Sequence, residues 1–359
     1  MSGFARVIHL SDFHFGRKLN QNGRAFHQEV FLFAKAKPHA YDKLTSLGRK
    51  VHEIQLQQGE FDVLLGTGDL STDGSETALK LCLSFIQDRL VGDEMRSELR
   101  GLGVNAERRI LVPGNHDRFD RAWIGFQKPG KAFETLLETR TPYPYVVGCR
   151  RSGTPNVPEN PAVLFFVFDS TPSRHANLSP WNRIARGRLS DGDCESFVEK
   201  VQELTPSGIV AALDGSELNV NYANCVRIAV LHHHPLDDNS TTLMENSELF
   251  MKNCVKLGMH LVLFGHDHRE FWHLREGFAQ PTNDLGHHTL FFCCPSASEY
   301  SSKNGFYTFD LDTTGFLFDF YKWDERAKAF VVGGLNEENR FVRDELYRFP
   351  FSHPLRVMI

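Results

Sequence analysis

Ile110-Leu111-Val112-Pro113-Gly114-Asn115-His116-Asp117 joins a short, β-branched apolar run to a Pro-Gly turn, and then to an amide, an imidazole and a carboxylate. The run reads as a buried strand that stops at the turn, which leaves the polar groups at the strand's carboxyl end. Ligands of α/β sheets bind at that end. Four other stretches repeat the arrangement. Residues 7–10 run into Ser11-Asp12-Phe13-His14, and residues 61–65 into Gly66-Thr67-Gly68-Asp69. Residues 226–231 run into His232-His233-His234-Pro235, and residues 260–264 into Gly265-His266-Asp267-His268. Five such strand ends on one edge gather a cluster rich in oxygen and imidazole, which is the composition of a metal site.

Between these strands the apolar spacing turns helical. Leu44, Leu47, Val51 and Ile54 predict a helix over 43–58 that Gly59 stops, and Ala78, Leu79, Cys82, Phe85 and Ile86 predict another over 75–90. Further helices are expected over 93–100, 131–139 and 245–257, with one capped by Ser190 running to about 204. Residues 163–168 are a continuous apolar strand, and 141–161 read as a Pro- and Gly-rich excursion. Alternation of strand and helix is the pattern of α/β layers. From 288 onward, strands over 289–294, 305–311 and 315–321 are expected to form an antiparallel meander. The basic stretch 15–42, with Phe26, Phe31 and Phe33, reads as a flap-like insertion in a domain spanning 1–322. Residues 323–359 read as an aromatic-rich extension packed on the body or on a partner.

The chain has 359 residues, 41% of them hydrophobic and 24% charged, enough to bury a full core. Its 30 phenylalanines point to an aromatic interior. A net charge of −5 gives no global basic field for nucleic acid, so a polymer substrate is possible but not favoured. Seven cysteines, several inside apolar segments and none in a Cys-x-x-Cys pair, suggest free thiols in a reducing compartment. No apolar run approaches a membrane span, and the first strand begins within a few residues of Met1. A cytoplasmic location is therefore expected.

Two divalent ions about 3.5–4 Å apart can clamp a phosphoryl group. Donors for them are supplied by Asp12, His14, Asp69, Asn115, His233, His266 and His268. Asp12 and His14 are two apart, as are His266 and His268, so each pair leaves one side of an extended segment. Asp69 has two oxygens and suits a bridge, although Gly-Thr-Gly-Asp also reads as a helix cap. Imidazole, carboxylate and amide ligation without cysteine favours Mn and/or Fe, with Zn or Co as alternatives, over Ca or Mg.

The ordered set Asp-x-His, Gly-Asp, Gly-Asn-His-Asp, His-x-Pro and Gly-His-x-His resembles the calcineurin-like metallophosphoesterase superfamily. Gly68-Asp69-Leu70 with Ser71-Thr72-Asp73-Gly74, Phe168-Asp169-Ser170, Gly187-Arg188-Leu189 and His233-His234-Pro235 resemble its class III cyclic-nucleotide phosphodiesterase type. The resemblance covers about residues 5–322. It implies a four-layer αββα sandwich of two mixed β-sheets flanked by helices. It also implies a dinuclear site at the strand carboxyl ends and hydrolysis of phosphodiesters, such as cyclic nucleotides, by a metal-bridging hydroxide.

By position, the resemblance gives Asp12, His14 and His268 to one metal and Asn115, His233 and His266 to the other, with Asp69 bridging. His233 is chosen because it lies two residues before Pro235, leaving His232 or His234 to line the pocket. His116 would donate a proton to the leaving oxygen, or stabilise it electrostatically, and Asp117 would orient it. A nuclease using Arg174, Arg183, Arg186 and Arg188, a phosphomonoesterase or protein phosphatase, and a protein-binding scaffold that has lost catalysis are the alternatives. A scaffold would be expected to have lost ligands, and here every ligand position is filled. The sequence does not set the oligomeric state.

Overall fold

β1 (Ala5–Leu10) is buried on both faces, which is why it reads as a largely apolar run rather than an alternating one. Val7 points into the middle of the molecule with Val63, Leu65, Ile110 and Val112, while Ile8 and Leu10 point outward with Leu64 and Leu111. A computed structural model of the chain describes residues 5–16, 28–29, 35–36, 39–88, 90–93, 97–118, 132–137, 142–151, 153–171, 186–205, 208–236, 244–268, 280–281, 288–299, 303–312, 315–333 and 349–350. Most of the 15–42 insertion, Arg174, Arg183 and most of the C-terminal extension lie outside the described residues.

In chain order, β1 is followed by the short pair β2 (Gln28–Glu29) and β3 (Lys35–Ala36), helix α1 (Tyr41–Gln58), β4 (Val63–Thr67) and α2 (Glu76–Gln87). Next come β5 (Leu90–Asp93), β6 (Ser97–Arg100), β7 (Arg109–Val112), α3 (Ala132–Leu137), β8 (Tyr145–Cys149), β9 (Ala162–Val167) and α4 (Asp191–Glu203). The chain continues through β10 (Gly208–Ala212), β11 (Glu217–Val220), β12 (Cys225–Val230), α5 (Ser247–Lys256) and β13 (Leu261–Phe264). It closes with β14 (Gln280–Pro281), β15 (His288–Cys293), β16 (Gly305–Asp312), β17 (Gly315–Asp324), β18 (Ala329–Val332) and β19 (Phe349–Pro350).

These strands make two mixed sheets. One has the order β18-β17-β16-β1-β4-β7, with β19 also on β17, and the other β11-β10-β8-β9-β12-β13-β15-β14. β1, β4 and β7 are parallel, as are β9, β12, β13 and β15, so their carboxyl ends lie on common edges. The core between the sheets joins Val163, Phe165 and Val167 to Phe292, Tyr307, Phe309 and Phe316. Edge-to-face contacts of Phe292 with Tyr307, Phe309 and Phe316 sit at its centre. A second core lies outside the first sheet, where Leu44, Leu47 and Val51 of α1 and Leu79 and Phe85 of α2 cover Ile8, Leu10 and Leu64. A third lies outside the other sheet, where Phe197 and Val201 of α4 and Phe250 of α5 cover Leu164, Phe166 and Ala229. Helix, sheet, sheet, helix is the expected four-layer arrangement.

Local signals account for most element boundaries. Ser190 and Asp193 form a reciprocal capping box at the start of α4, satisfying two of the backbone donors that a helix start leaves open. Gly59 ends α1 at a φ of 93°. Three expectations fail. Residues 93–100 are not a helix: β5 and β6 pair antiparallel, because 97–100 offers one apolar residue, the buried Leu99, in an alternating rather than a helical setting. The 141–161 excursion contains β8, whose Val147 is fully buried between β9 and β10. β15 does not belong to the C-terminal meander, since it pairs parallel with β13 in the other sheet. The meander is β16-β17-β18, and β18 places the buried Phe330 against Phe306 and Trp323.

Candidate metal centre

The polar residues following β1, β4, β7, β12 and β13 are drawn together by backbone bonds between neighbouring loops. The Asp12 and His14 amides donate to the Gly68 and Asp69 carbonyls at 3.0 and 2.9 Å, and the Gly265 amide donates to the His232 carbonyl at 3.0 Å. Turning five side chains inward from these loops takes unusual backbone. Asp12, His14, Asp69, His266 and His268 have φ of 53, 51, 47, 77 and 50°, a left-handed region that L-residues enter at a cost. Of the described non-glycine residues, only Asn246 and Lys328 share it. Strain concentrated in this way marks functional loops. The glycines fit the same logic: a Cβ on Gly114 would overlap the Asp69 carboxylate and amide, and one on Gly68 would overlap the His232 ring.

Asp69 lies at the centre. Its Oδ2 is 4.0 Å from His14 Nε2, 3.9 Å from His116 Nε2 and 3.5 Å from His232 Nε2, and its Oδ1 accepts from the His116 amide at 2.9 Å. On one side, His268 Nε2 lies 3.0 Å from Asp12 Oδ1 and 3.2 Å from His14 Nε2. On the other, His232 Nε2 lies 3.1 Å from Asn115 Oδ1 and 3.2 Å from His266 Nδ1. His233 is buried beside them, its ring centroid 4.7 Å from that of His266. Its Nδ1 meets Ser170 Oγ at 2.9 Å, and its buried Nε2 has no protein partner.

The seven expected ligand residues are thus brought together, and His232 joins them. The reason is a single bond: His232 Nδ1 donates to the Thr67 carbonyl at 2.7 Å, which turns Nε2 inward. His234 points elsewhere. It packs on Phe264 and faces Asp267, with Nε2 and Oδ2 3.8 Å apart.

Asp117 holds a different place from the one expected. Its carboxylate accepts from the amides of Leu70, Ser71 and Gly114 at 3.1, 2.8 and 3.0 Å and from Ser71 Oγ at 2.9 Å. It therefore staples the turn after β7 to the turn after β4. His116 is oriented instead by the Thr72 carbonyl, which accepts from Nδ1 at 2.9 Å and leaves Nε2 facing the open side. Its side chain is 22% exposed, against 3% for Asp69. Arg118 ion-pairs with the buried Asp169 at 2.5 Å and stacks on Phe133, bracing the same turn.

The electrostatics suit a cation. Burial opposes charge on Asp12, yet His268 and His232 pull its carboxyl down to about 2. Burial opposes charge on Asp69 as well, and His232 and His116 still hold it well below the usual carboxylate range. Burial lowers His14 and His266 to about 4 and His233 further, so these imidazoles are neutral lone-pair donors. Against burial, the Asp69 carboxylate raises His232 to about 9, and Asp12 and Glu299 raise His268. Protons on those two rings compensate the buried carboxylates, and a bound cation would displace them. Four overlapping triplets have donor atoms within 4.8 Å of one another: His232-His233-His266, Asp12-His14-His268, His14-Asp69-His116 and Asp12-Asp69-His232. The buried Nε2 of His233 and the facing imidazole nitrogens are groups that metal ions would satisfy, and the donor set fits two of them.

A model of the calcineurin-like phosphoesterase family matches residues 5–270. A comparison with curated proteins finds no match. Similar solved structures include a predicted phosphoesterase of Streptococcus pneumoniae, 12% identical over 98% of this chain and 99% of its own, with a TM-score of 0.32. The sulfate thiohydrolase SoxB of Thermus thermophilus is 13% identical over 87% of this chain and 54% of its own, with a TM-score of 0.37. Vps29 of Entamoeba histolytica is 10% identical over 91% of this chain and 97% of its own, with a TM-score of 0.29. No helix of the described residues is long and apolar enough to cross a membrane.

Proposed function

Because the chain belongs to the calcineurin-like phosphoesterase family, we propose that it hydrolyses small phosphodiesters with two metal ions held by Asp12, His14, Asp69, Asn115, His233, His266 and His268. The observation that carries this reading is the placement of Asp69 Oδ2 between two donor sets. Asp12, His14 and His268 lie on one side, and His232, His266 and Asn115 on the other. Bound ions would supply positive charge to the phosphoryl oxygens and acidify a water. The carboxylates and neutral imidazoles hold them, and the amide of Asn115 keeps the negative charge at the site low beside an anionic substrate. Mixed nitrogen and oxygen donors without thiolate favour Mn and/or Fe.

His116 serves as the acid toward the leaving oxygen. The Thr72 carbonyl fixes its Nδ1–H, and Nε2 is both near Asp69 and reachable from solvent. Asp117 supports this group indirectly, by holding the turn that carries it. The inward Nε2 of His232 makes it a donor alongside His233. His232→Ala and His233→Ala are each expected to weaken one metal position, while His234→Ala should keep full metal content. Elemental analysis of the three purified variants checks this, and full content in His232→Ala would reduce that residue to a positioning role.

Small cyclic nucleotides are the favoured substrates on the motif resemblance. The nuclease reading is second: Arg186 and Arg188 both lie on the Glu245 carboxylate, at 3.5 and 3.7 Å, so one carboxylate serves two cations near the site. Seven buried free cysteines support a reducing compartment, the cytoplasm. The test is a Mn-supplemented panel of cyclic nucleotides, linear dinucleotides, DNA, headgroup diesters and monoesters. Fastest turnover of a small diester is expected. Preference for DNA would favour the nuclease, and no hydrolysis of any ester would contradict the proposal.

A further inference from the structure

The site histidines differ in what holds the ring nitrogen turned away from the cluster. His232 uses the Thr67 carbonyl, His233 the Ser170 hydroxyl and His116 the Thr72 carbonyl, all neutral groups. His268 uses a carboxylate: its Nδ1 lies 2.7 Å from Glu299 Oε2. Glu299 follows β15, beyond the residues matched by the family model, and none of the sequence motifs includes it.

The segment carrying Glu299 is built onto the backbone of the Asp12 loop. Ser296 Oγ donates to the Asp12 carbonyl at 2.6 Å, the Ala297 amide to the Ser11 carbonyl at 2.7 Å, and Ser298 Oγ to the Phe13 carbonyl at 2.7 Å. The Glu299 amide donates to Ser296 Oγ at 2.9 Å. Its carbonyl accepts from Lys43 Nζ at 3.0 Å and Asn304 Nδ2 at 3.1 Å. The same few atoms therefore fix the positions of Asp12 and of the carboxylate behind His268. An acid so placed is partly buried, main-chain anchored and aimed at one imidazole nitrogen.

We infer that Glu299 is the positioning residue of His268: its carboxylate accepts the Nδ1–H, which fixes the tautomer that presents Nε2 toward Asp12 and His14. This rests on the proposed metal centre and adds a partner to one half of it. A carboxylate behind a ligating imidazole prevents ring flipping and makes the far nitrogen a better donor, and its loss typically costs about 10–100-fold in metal affinity. The effect belongs to the Asp12-His14-His268 position, because the His232 and His233 rings are held by Thr67 and Ser170 instead.

The test is calorimetric titration of chelator-treated full-length protein with Mn²⁺, comparing wild type, Glu299→Ala and Glu299→Gln, with thermal melts of the ion-free proteins alongside. Wild type should take up two equivalents. In Glu299→Ala one equivalent should bind as in wild type and the other about 10–100-fold more weakly. Glu299→Gln, whose amide oxygen still accepts the Nδ1–H but carries no charge, should fall between them. Ion-free melts should fall only slightly, because the variants lose the Glu299–His268 contact but keep the bonds made by the main chain of residue 299. Unchanged binding of both equivalents in both variants would overturn the inference and leave the metal centre standing. Equal weakening of both equivalents, or loss of a cooperative melt, would overturn it in favour of a merely structural role. No uptake by wild type would remove the metal centre itself.

Discussion

Asp69→Ala is expected to lose both metal ions together, and with them the hydrolytic activity. The carboxylate stands between the His14 and His232 nitrogens, so no other side chain can replace it for either ion. Each affinity should fall by about 100-fold or more, since removal of a direct ligand exceeds the 10–100-fold typical of an outer partner. The buried His232 would also lose the group that raises it. Elemental analysis after desalting checks this against a wild type with two equivalents, and a melt of the ion-free variant shows whether the fold survives. Retention of one full equivalent would remove the bridging assignment.

His116→Ala is expected to separate acid catalysis from metal binding. Its Nε2 is nearly 4 Å from Asp69 Oδ2, and its Nδ1 is anchored by the Thr72 carbonyl, so metals and fold should be retained. Acid assistance matters when the leaving oxygen is a poor leaving group that needs a proton in the transition state. The loss should be about 10²–10⁴-fold for a ribose alkoxide and markedly smaller for a nitrophenyl diester. Turnover of both diesters by the variant and the wild type measures the difference. Equal losses would assign His116 to orienting phosphate or to supporting Asn115, and lost metal would make it a ligand.

The parallel strands were legible because both of their faces are buried, which leaves five mostly apolar runs before the ligand residues, broken only by His9, Asp62 and Arg227. The ligands were legible as residue types at strand ends. Their left-handed backbone was not, since Asp and His are enriched at positive φ but adopt it only at a small minority of positions. β8, β10 and β11 escaped because they are four or five residues long and half-exposed in places, so neither period stands out. β15 was assigned to the wrong sheet because the chain crosses between sheets in the short stretch 294–304, and spacing along the sequence carries no record of that crossing. The resemblance made Asp117 the partner that orients His116, yet its carboxylate folds back onto three amides. Glu299 left no trace at all: a polar residue after a strand gains its meaning only from the ring it meets, 31 positions away.

Stoichiometry of Mn²⁺ uptake by the chelator-treated chain tests the central claim most directly. Two equivalents are predicted, because Asp12, His14 and His268 face one side of Asp69 while Asn115, His232, His233 and His266 face the other. A single equivalent, or none, would contradict a dinuclear centre.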